Sequence, residues 1–386
     1  MSPLHVGIDV SAVPSNPAGA GRYTIELIKA LADDDLEISL VARTGDEGRF
    51  AAFAPSAEVV AVVPSARPLR LAYEQIGIPR LERRLGIDVY HGPHYTMPLR
   101  SPVPAVVTIH DVTFFDHPEL HERSKVAFFR RAIRSAAARA SVLVCVSSRT
   151  ADRLMDHVDP RCPVLIAPHG IDHVRFVPTE PSPGSDQLLL RAAGLDPSRS
   201  RLVAVGTVEP RKGFDRLVRA FDRLAESQQE LELVIAGQRG WATQSFDDAL
   251  AAARHRDRIS VLGYVDDDLV PALLRTAGCV VYPSLDEGFG LPALEGLACG
   301  AAVVTTEGSV MAELCGPAAW LAPPDDVGVL GEVIGEALNA PTVTRSSRAD
   351  MGRRRAQEFS WAATASRHVE AYRLAVGTAG REAAGG

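Results

Sequence analysis

The chain is 386 residues long, 46% hydrophobic and 23% charged, an ordinary globular composition with room for two full cores. A formal charge of −7 speaks against a nucleic-acid binder working through a broad basic surface. Five scattered cysteines without C-x-x-C spacing fit reduced cytoplasmic thiols better than a disulfide or zinc framework, and no apolar run approaches the roughly 18 residues of a membrane span.

The opening MSPLHVGIDV reads as a strand, not a secretory leader. From there, short β-branched runs alternate with amphipathic stretches. Strands are predicted at 5–9, 38–42, 59–63, 89–90, 105–109, 142–146 and 164–166, then at 202–206, 231–236, 259–262, 279–282 and 302–305. Helices are predicted at 23–32, 125–140, 214–225 and 269–277 among others. This alternation predicts βαβ units: two doubly wound parallel sheets of about six strands, whose C-terminal edges would face a shared cleft. The Pro/Ser/Gly-rich stretch 178–184 is the expected break, giving domains 1–177 and 178–360. A last helix at about 361–376 is expected to pack back onto the first domain, and 377–386 to form a disordered tail.

The helix 123–140 (RSKVAFFRRAIRSAAARA) carries six basic residues and no acidic one. Val126, Phe129, Ile133 and Ala137 would form its buried stripe, leaving a solvated basic face or one that rests on anionic lipid at the inner membrane surface.

In the second half, the strand ending at Gly206 runs through TVEPRKG into a helix, placing Arg211 and Lys212 near a positive helix end. A bound anion would make that arrangement favourable; solvated loop charges are the plainer alternative. Asp266–Asp268 precede the helix from 269 and read as its cap and first-turn charge, not as metal ligands. After strand 279–282, LDEGFGLPALEGL sets Pro292 as first helical residue and Leu291 as a cap without a side-chain oxygen. Gly288 and Gly290 permit close backbone approach. Glu287 on the loop and Glu295 in the first turn are acceptor-only groups suited to the hydroxyls of a sugar or ribose. His110 ends the strand AVVTI in the first half, at the edge where a ligand would bind.

EGFGLPALE (287–295) matches the E-x7-E motif, and VGTVEPRKG (205–213) the preceding diphosphate loop, of the GT-B retaining glycosyltransferases of the family 4 type (glycosyl transferases group 1). TIHD (108–111) with FFDHPE, GAGR (19–22) and LGYVDDD (262–268) resemble further family segments. The resemblance implies a GT-B fold and a nucleoside-diphosphate sugar as substrate. It assigns Arg211 and Lys212 to the diphosphate, Glu287 to the transferred sugar, Glu295 to the ribose, and the Phe289–Gly290–Leu291 backbone, with Gly288, to phosphate and sugar. Gly19, Gly21 and Arg22 would approach the donor phosphates, Tyr264 and Val265 the base, and His110 the sugar's 6-hydroxyl. Asp111, His91, His94 and Tyr95 would line the acceptor side. Thr207 stands where many members carry arginine, leaving the cationic contacts to Arg211 and Lys212.

The G-T-x-E-P-R-K form is similar to the mannosyltransferase-like branch. GDP-mannose is therefore the favoured donor, with UDP- or dTDP-sugars behind it, and a glycan, lipid-linked intermediate or small molecule the acceptor. No cofactor or metal is expected, and with no evident nucleophile the leaving phosphate would take the acceptor's proton. A non-catalytic nucleotide-binding module and a GT-B nucleotide-sugar epimerase are the alternatives. A phosphorylase would need a lysine-held pyridoxal phosphate, and an oxidoreductase a G-x-G-x-x-G loop where this chain has Arg22–Tyr23–Thr24.

Overall fold

The structure, a computed structural model, describes residues 3–17, 19–32 and 35–385, with side chains through residue 378. The chain divides into two compact units, Met1–Gly170 with Trp361–Gly386, and Ile171–Ser360.

The first unit is built on β1 (Leu4–Asp9), β2 (Leu36–Arg43), β3 (Glu58–Val63), β4 (Val89–Gly92), β5 (Ala105–Ile109), β6 (Val142–Cys145) and β7 (Val164–Ile166). All pairs are parallel, in the order β3-β2-β1-β4-β5-β6-β7. β4, β5 and β6 are buried at every position, as a strand covered on both faces must be. On one face Val106, with Ile8 and Val144, packs against Tyr23, Leu27 and Ile28 of the helix Ala20–Leu31. On the other face Val107 and Ile109 meet Ile133, Ala136 and Ala137 of the helix Arg123–Arg139.

The last helix, Trp361–Gly385, supplies Ala365, Val369, Ala371, Tyr372 and Ala375 to the core that holds Tyr23. Its helical spacing explains the expected packing onto the first sheet. The helix also runs through 377–385, where a disordered tail was expected. Ala, Arg and Glu in that stretch outweigh its glycines, and Thr378 Oγ1 bonds back to the Leu374 and Ala375 carbonyls at 3.1 and 2.9 Å. Gly386 lies outside the described residues.

The boundary falls at 170/171, not 177/178. Ile171 bridges Ser360, and its N–H donates to the Phe359 carbonyl at 3.2 Å, so the second unit already starts there. The stretch 178–184 is a turn inside that unit. Glu180 accepts from the N–H groups of Gly184 and Asp186 at 2.9 and 3.2 Å, and Asp186 takes a bidentate Arg275 at 2.6 and 2.7 Å. Proline, serine and glycine there start a helix, Ser185–Ala192, instead of loosening the chain.

The second unit holds β8 (Ser200–Val205), β9 (Leu231–Ala236), β10 (Ile259–Gly263), β11 (Cys279–Tyr282), β12 (Val303–Thr306) and β13 (Trp320–Ala322), all parallel, in the order β10-β9-β8-β11-β12-β13. β13 was not expected: three residues behind a Gly-Pro turn carry no readable alternation.

Candidate active site

In the second sheet the strand order reverses at β8, so the loops after β8 and β11 diverge and leave a crevice at their C-terminal ends. These are the loops that carry Arg211, Lys212 and Glu287. They are stitched together by Leu285 N–H to the Arg211 carbonyl at 2.8 Å, Arg211 Nη1 to the Asp286 carbonyl at 2.7 Å and Arg216 Nη2 to the Pro283 carbonyl at 2.7 Å. A single 3₁₀ turn, Pro210–Lys212, separates β8 from the helix Phe214–Leu224, so the two cations precede the helix rather than sit on its first turn.

Glu287 is the hub. Its Oε2 takes Arg211 Nη1 at 2.5 Å, and its Oε1 takes Lys212 Nζ at 2.5 Å, Ser284 Oγ at 2.8 Å and Tyr282 O–H at 3.1 Å. Lys212 also donates to the Tyr282 hydroxyl at 2.5 Å, and Arg211 Nη2 reaches Glu209 Oε1 at 2.7 Å. Burial alone would raise the Glu287 pKa, but the charges of Arg211 and Lys212 win and hold it at about 2. Burial alone would lower that of Lys212, and the Glu287 charge reverses this, so the lysine sits above its ordinary value. Burial and the Glu287 charge push the Tyr282 phenol up to about 12.

Two expectations change here. Arg211 and Lys212 do not wait for an anion: Glu209 and Glu287 already balance them. Glu287 does not present an open carboxylate either, because Oε1 is crowded with three donors; Oε2 takes one and keeps acceptor capacity for another.

The glycine-rich turn follows directly. The helix Leu291–Ala298 is capped by Gly290, so Leu291 is its first residue and not its cap. Gly290 sits at φ 102°, where a Cβ would also lie 2.6 Å from Met311 Cγ. Glu295, nine-tenths buried, is fifth in the helix and thus past the first turn, so it does not serve the dipole. Phe289 is buried, its ring edge-on against Phe359 at 5.7 Å. Thr207 follows β8 on the same edge. Exposed Tyr264 and half-buried Val265 follow β10, about 10 Å away across two strand spacings. Asp268 occupies the cap position of the helix Leu269–Arg275 without a capping hydrogen bond, and Asp267 pairs with Arg175 at 3.6 Å. Among the described residues, no group of three or more His, Cys, Asp or Glu could hold a metal ion.

In the first unit, His110 follows β5 and is buried, its Nε2–H donating to the Pro93 carbonyl at 2.8 Å. That bond fixes the tautomer and leaves Nδ1 as an acceptor; burial pushes the pKa down, keeping the ring neutral. His94, Tyr95 and His110 have ring centroids 5.5–5.9 Å apart. His94 is half-buried, with its pKa pushed down to about 3 by burial. Tyr95 is buried, with φ 65°, and its hydroxyl accepts the Asp111 N–H at 3.2 Å. It therefore helps shape the loop that carries Asp111. Asp111 Oδ1 is held by Thr113 N–H at 3.1 Å and Thr113 Oγ1 at 2.7 Å. His91 is fully buried and bonded within the core, so it lines nothing. Gly19 caps the helix Ala20–Leu31, with buried Gly21 and half-buried Arg22 in its first turn; Ala18 lies outside the described residues.

In the helix Arg123–Arg139, Ile133 and Ala137 are buried as expected, whereas Val126 and Phe129 are only partly so. Arg130 donates to the Phe114 carbonyl at 2.8 Å, and both Arg130 and Arg134 lie over the Phe115 ring. The basic face is thus narrower than the sequence implied. Among the described residues, no helix is long and apolar enough to cross a membrane.

Sequence reasoning missed Glu209, Tyr282 and Ser284 in the second unit, and Tyr23, Thr108, His169, Trp361, His368 and Tyr372 around His110. Glu209 was findable inside the same TVEPRK segment. His368 was not, lying 258 positions beyond His110 on a helix with no motif.

Two all-parallel doubly wound units, with a cation–carboxylate cluster at the switch point of the second, define a GT-B enzyme. Residues 17–175 match Glycosyltransferase Family 4 and residues 187–358 match Glycosyl transferases group 1. The chain belongs to this glycosyltransferase family and is a transferase enzyme. It is 28% identical to the O-antigen chain mannosyltransferase B of Escherichia coli over 383 residues, covering 92% of this chain and 96% of that one. The D-inositol 3-phosphate glycosyltransferase of Salinispora arenicola is 29% identical over 417 residues, covering 98% and 91%. Among solved structures, Anabaena Alr3699/HepE in complex with UDP and glucose superimposes with a TM-score of 0.77 at 18% identity, covering 95% of this chain and 99% of that one.

Proposed function

We propose that the enzyme transfers a hexosyl unit, mannosyl by preference, from a nucleoside-diphosphate sugar to a glycan, lipid-linked or small-molecule acceptor, with retention at the anomeric carbon. The observation that carries this reading is the buried Arg211–Lys212–Glu287 cluster at the switch point of the second sheet, beside the helix start at Leu291. Mannosyl transfer draws support from the name of the E. coli relative, and a nucleoside-diphosphate donor from the UDP bound in the Anabaena structure.

In this reading the donor diphosphate meets Arg211 and Lys212, which are preorganised by Glu287 and Glu209 and so need no reorganisation as charge develops on the leaving group. Lys212 keeps its proton because Glu287 raises its pKa. Glu287 Oε2 takes a sugar hydroxyl with its remaining acceptor capacity, and Glu295 the ribose. Thr207 and the backbone of Gly288–Leu291 contact the diphosphate, and Tyr264 and Val265 flank the base. In the first unit Gly19, Gly21 and Arg22 approach the phosphates, His110 accepts the 6-hydroxyl at Nδ1, and Asp111 and His94 serve the acceptor. The departing phosphate receives the acceptor's proton, and the reaction requires no cofactor. GDP-mannose is the first donor to test, ahead of UDP- and dTDP-sugars. Glu287→Gln should lower kcat by roughly 10²–10³-fold, the usual loss for one transition-state donor or its support, and the product's anomeric NMR coupling should match the donor's configuration. Full activity in Glu287→Gln, or an inverted product, would refute the assignment.

A further inference from the structure

The first unit buries a continuous chain of polar side chains that ends against the ring of His110. The Tyr372 hydroxyl lies 2.9 Å from His91 Nδ1, and His91 Nε2 lies 2.9 Å from Thr108 Oγ1. Thr108 Oγ1 lies 3.0 Å from the Tyr23 hydroxyl, which lies 2.7 Å from His368 Nε2. His368 Nδ1 lies 2.7 Å from the Thr364 carbonyl. Tyr372, His91, Thr108, Tyr23 and His368 are all fully buried.

The direction of every bond follows from its end. The Thr364 carbonyl only accepts, so His368 Nδ1 carries a proton. Burial without a facing carboxylate keeps His368 neutral, with its pKa down at about 4, so Nε2 accepts from the Tyr23 O–H. The single proton of Tyr23 is then spent, and its oxygen accepts from Thr108. Thr108 accepts in turn from His91 Nε2–H, and His91 Nδ1 accepts from Tyr372. Five polar groups occupy a core where Leu27, Val106 and Val144 pack. A fully satisfied network of this kind fixes one arrangement at the expense of simpler apolar packing.

What it fixes is the Tyr23 ring. Held at its hydroxyl, Tyr23 stands edge-on to His110 at 4.8 Å and stacks on His169 at 4.8 Å, which in turn stacks on Trp361 at 6.0 Å. Thr108 lies on β5, two positions before His110, which directly follows the strand. With the Pro93 bond on Nε2 and the Tyr23 wall on one side, the His110 ring has one orientation for Nδ1. We propose that Tyr23, anchored by Thr108 and by His368 of the last helix, is a positioning residue for glycosyl transfer, acting through His110. The proposal rests on the reading of His110 given above.

The test compares Tyr23→Phe, which keeps the ring and removes the hydroxyl, with His110→Ala and the double variant in the full-length enzyme. A misplacement on the order of 1 Å costs up to 10²-fold, so Tyr23→Phe is expected to lower kcat by at least about tenfold while leaving the donor KM unchanged. It should also shift the His110 ring ¹⁵N resonances, and in the His110→Ala background it should lower kcat no further. Thr108→Val should copy Tyr23→Phe, and Thr108→Ser, which restores a hydroxyl, should rescue it. This pair carries the test should Tyr23→Phe not fold. Equal kcat losses from Tyr23→Phe with and without His110, or a lowered melting temperature with unchanged kcat, overturn the positioning role alone. Unchanged turnover in His110→Ala overturns the reading of His110 and the proposal with it.

Discussion

At Glu287 desolvation and charge pairing pull in opposite directions, and pairing wins because two cations share one carboxylate at 2.5 Å each. The folded pKa of about 2 lies below the ordinary 4.5. The stabilisation is therefore complete above about pH 4.5 and is lost as pH falls toward 2. Lys212 works the other way: its raised pKa contributes below its ordinary 10.5 and is lost only as pH rises through the raised value. The urea midpoint of the second unit should fall across the acid window, and Glu287→Gln should flatten that fall. Glu287→Ala, which strips buried Lys212 of its carboxylate and leaves Arg211 only Glu209, should cost roughly 3–5 kcal/mol at neutral pH by the same measurement. Arg211, Lys212 and Glu287 were legible in the sequence because each sits in a short contiguous motif. Their mutual pairing was not, because residues 75 positions apart meet only through the order in which β8 and β11 lie side by side.

The helix Leu291–Ala298 shows how one residue of register matters. Its start was read one position late because Pro292 is a natural first residue, whereas Gly290, at φ 102°, takes the cap. Gly290→Ala combines that backbone strain with a Cβ 2.6 Å from Met311 Cγ. It should destabilise by roughly 1–3 kcal/mol and raise the donor KM by moving the Gly288–Leu291 turn. Strands with β-branched apolar runs, such as Val142–Cys145 and Val164–Ile166, were readable; β13, Trp-Leu-Ala with no β-branched residue, was not. The helix Trp361–Gly385 was legible as a helix, but its side-chain partners were not. His368 meets Tyr23 across 345 residues of sequence, and Tyr372 meets His91 across 281.

Across the whole molecule, the chain leaves its first unit at Gly170 and returns at Trp361, so that unit's core is completed by residues far along the chain from the rest of it. Ending the chain at Ser360 would remove Ala365, Val369, Ala371 and Tyr372 from that core. Each larger side chain contributes about 1.5–3 kcal/mol on burial, against a net stability of about 5–15 kcal/mol. The truncated chain should lose the first unit's near-ultraviolet circular dichroism and cooperative unfolding while the second unit still melts. Retained two-unit unfolding would contradict this account of the last helix.

The proposed function stands or falls with nucleoside-diphosphate binding at the cluster beside β8 and β11. Its most direct test is thermal stabilisation by GDP, UDP, dTDP and ADP, run on the native chain and on Lys212→Met. At least one diphosphate, at a hundred times its dissociation constant, is expected to stabilise the native chain by about 2.7 kcal/mol, and Lys212→Met to lose most of this shift. A chain that no nucleotide stabilises, or a Lys212→Met variant stabilised as well as the native protein, would contradict it.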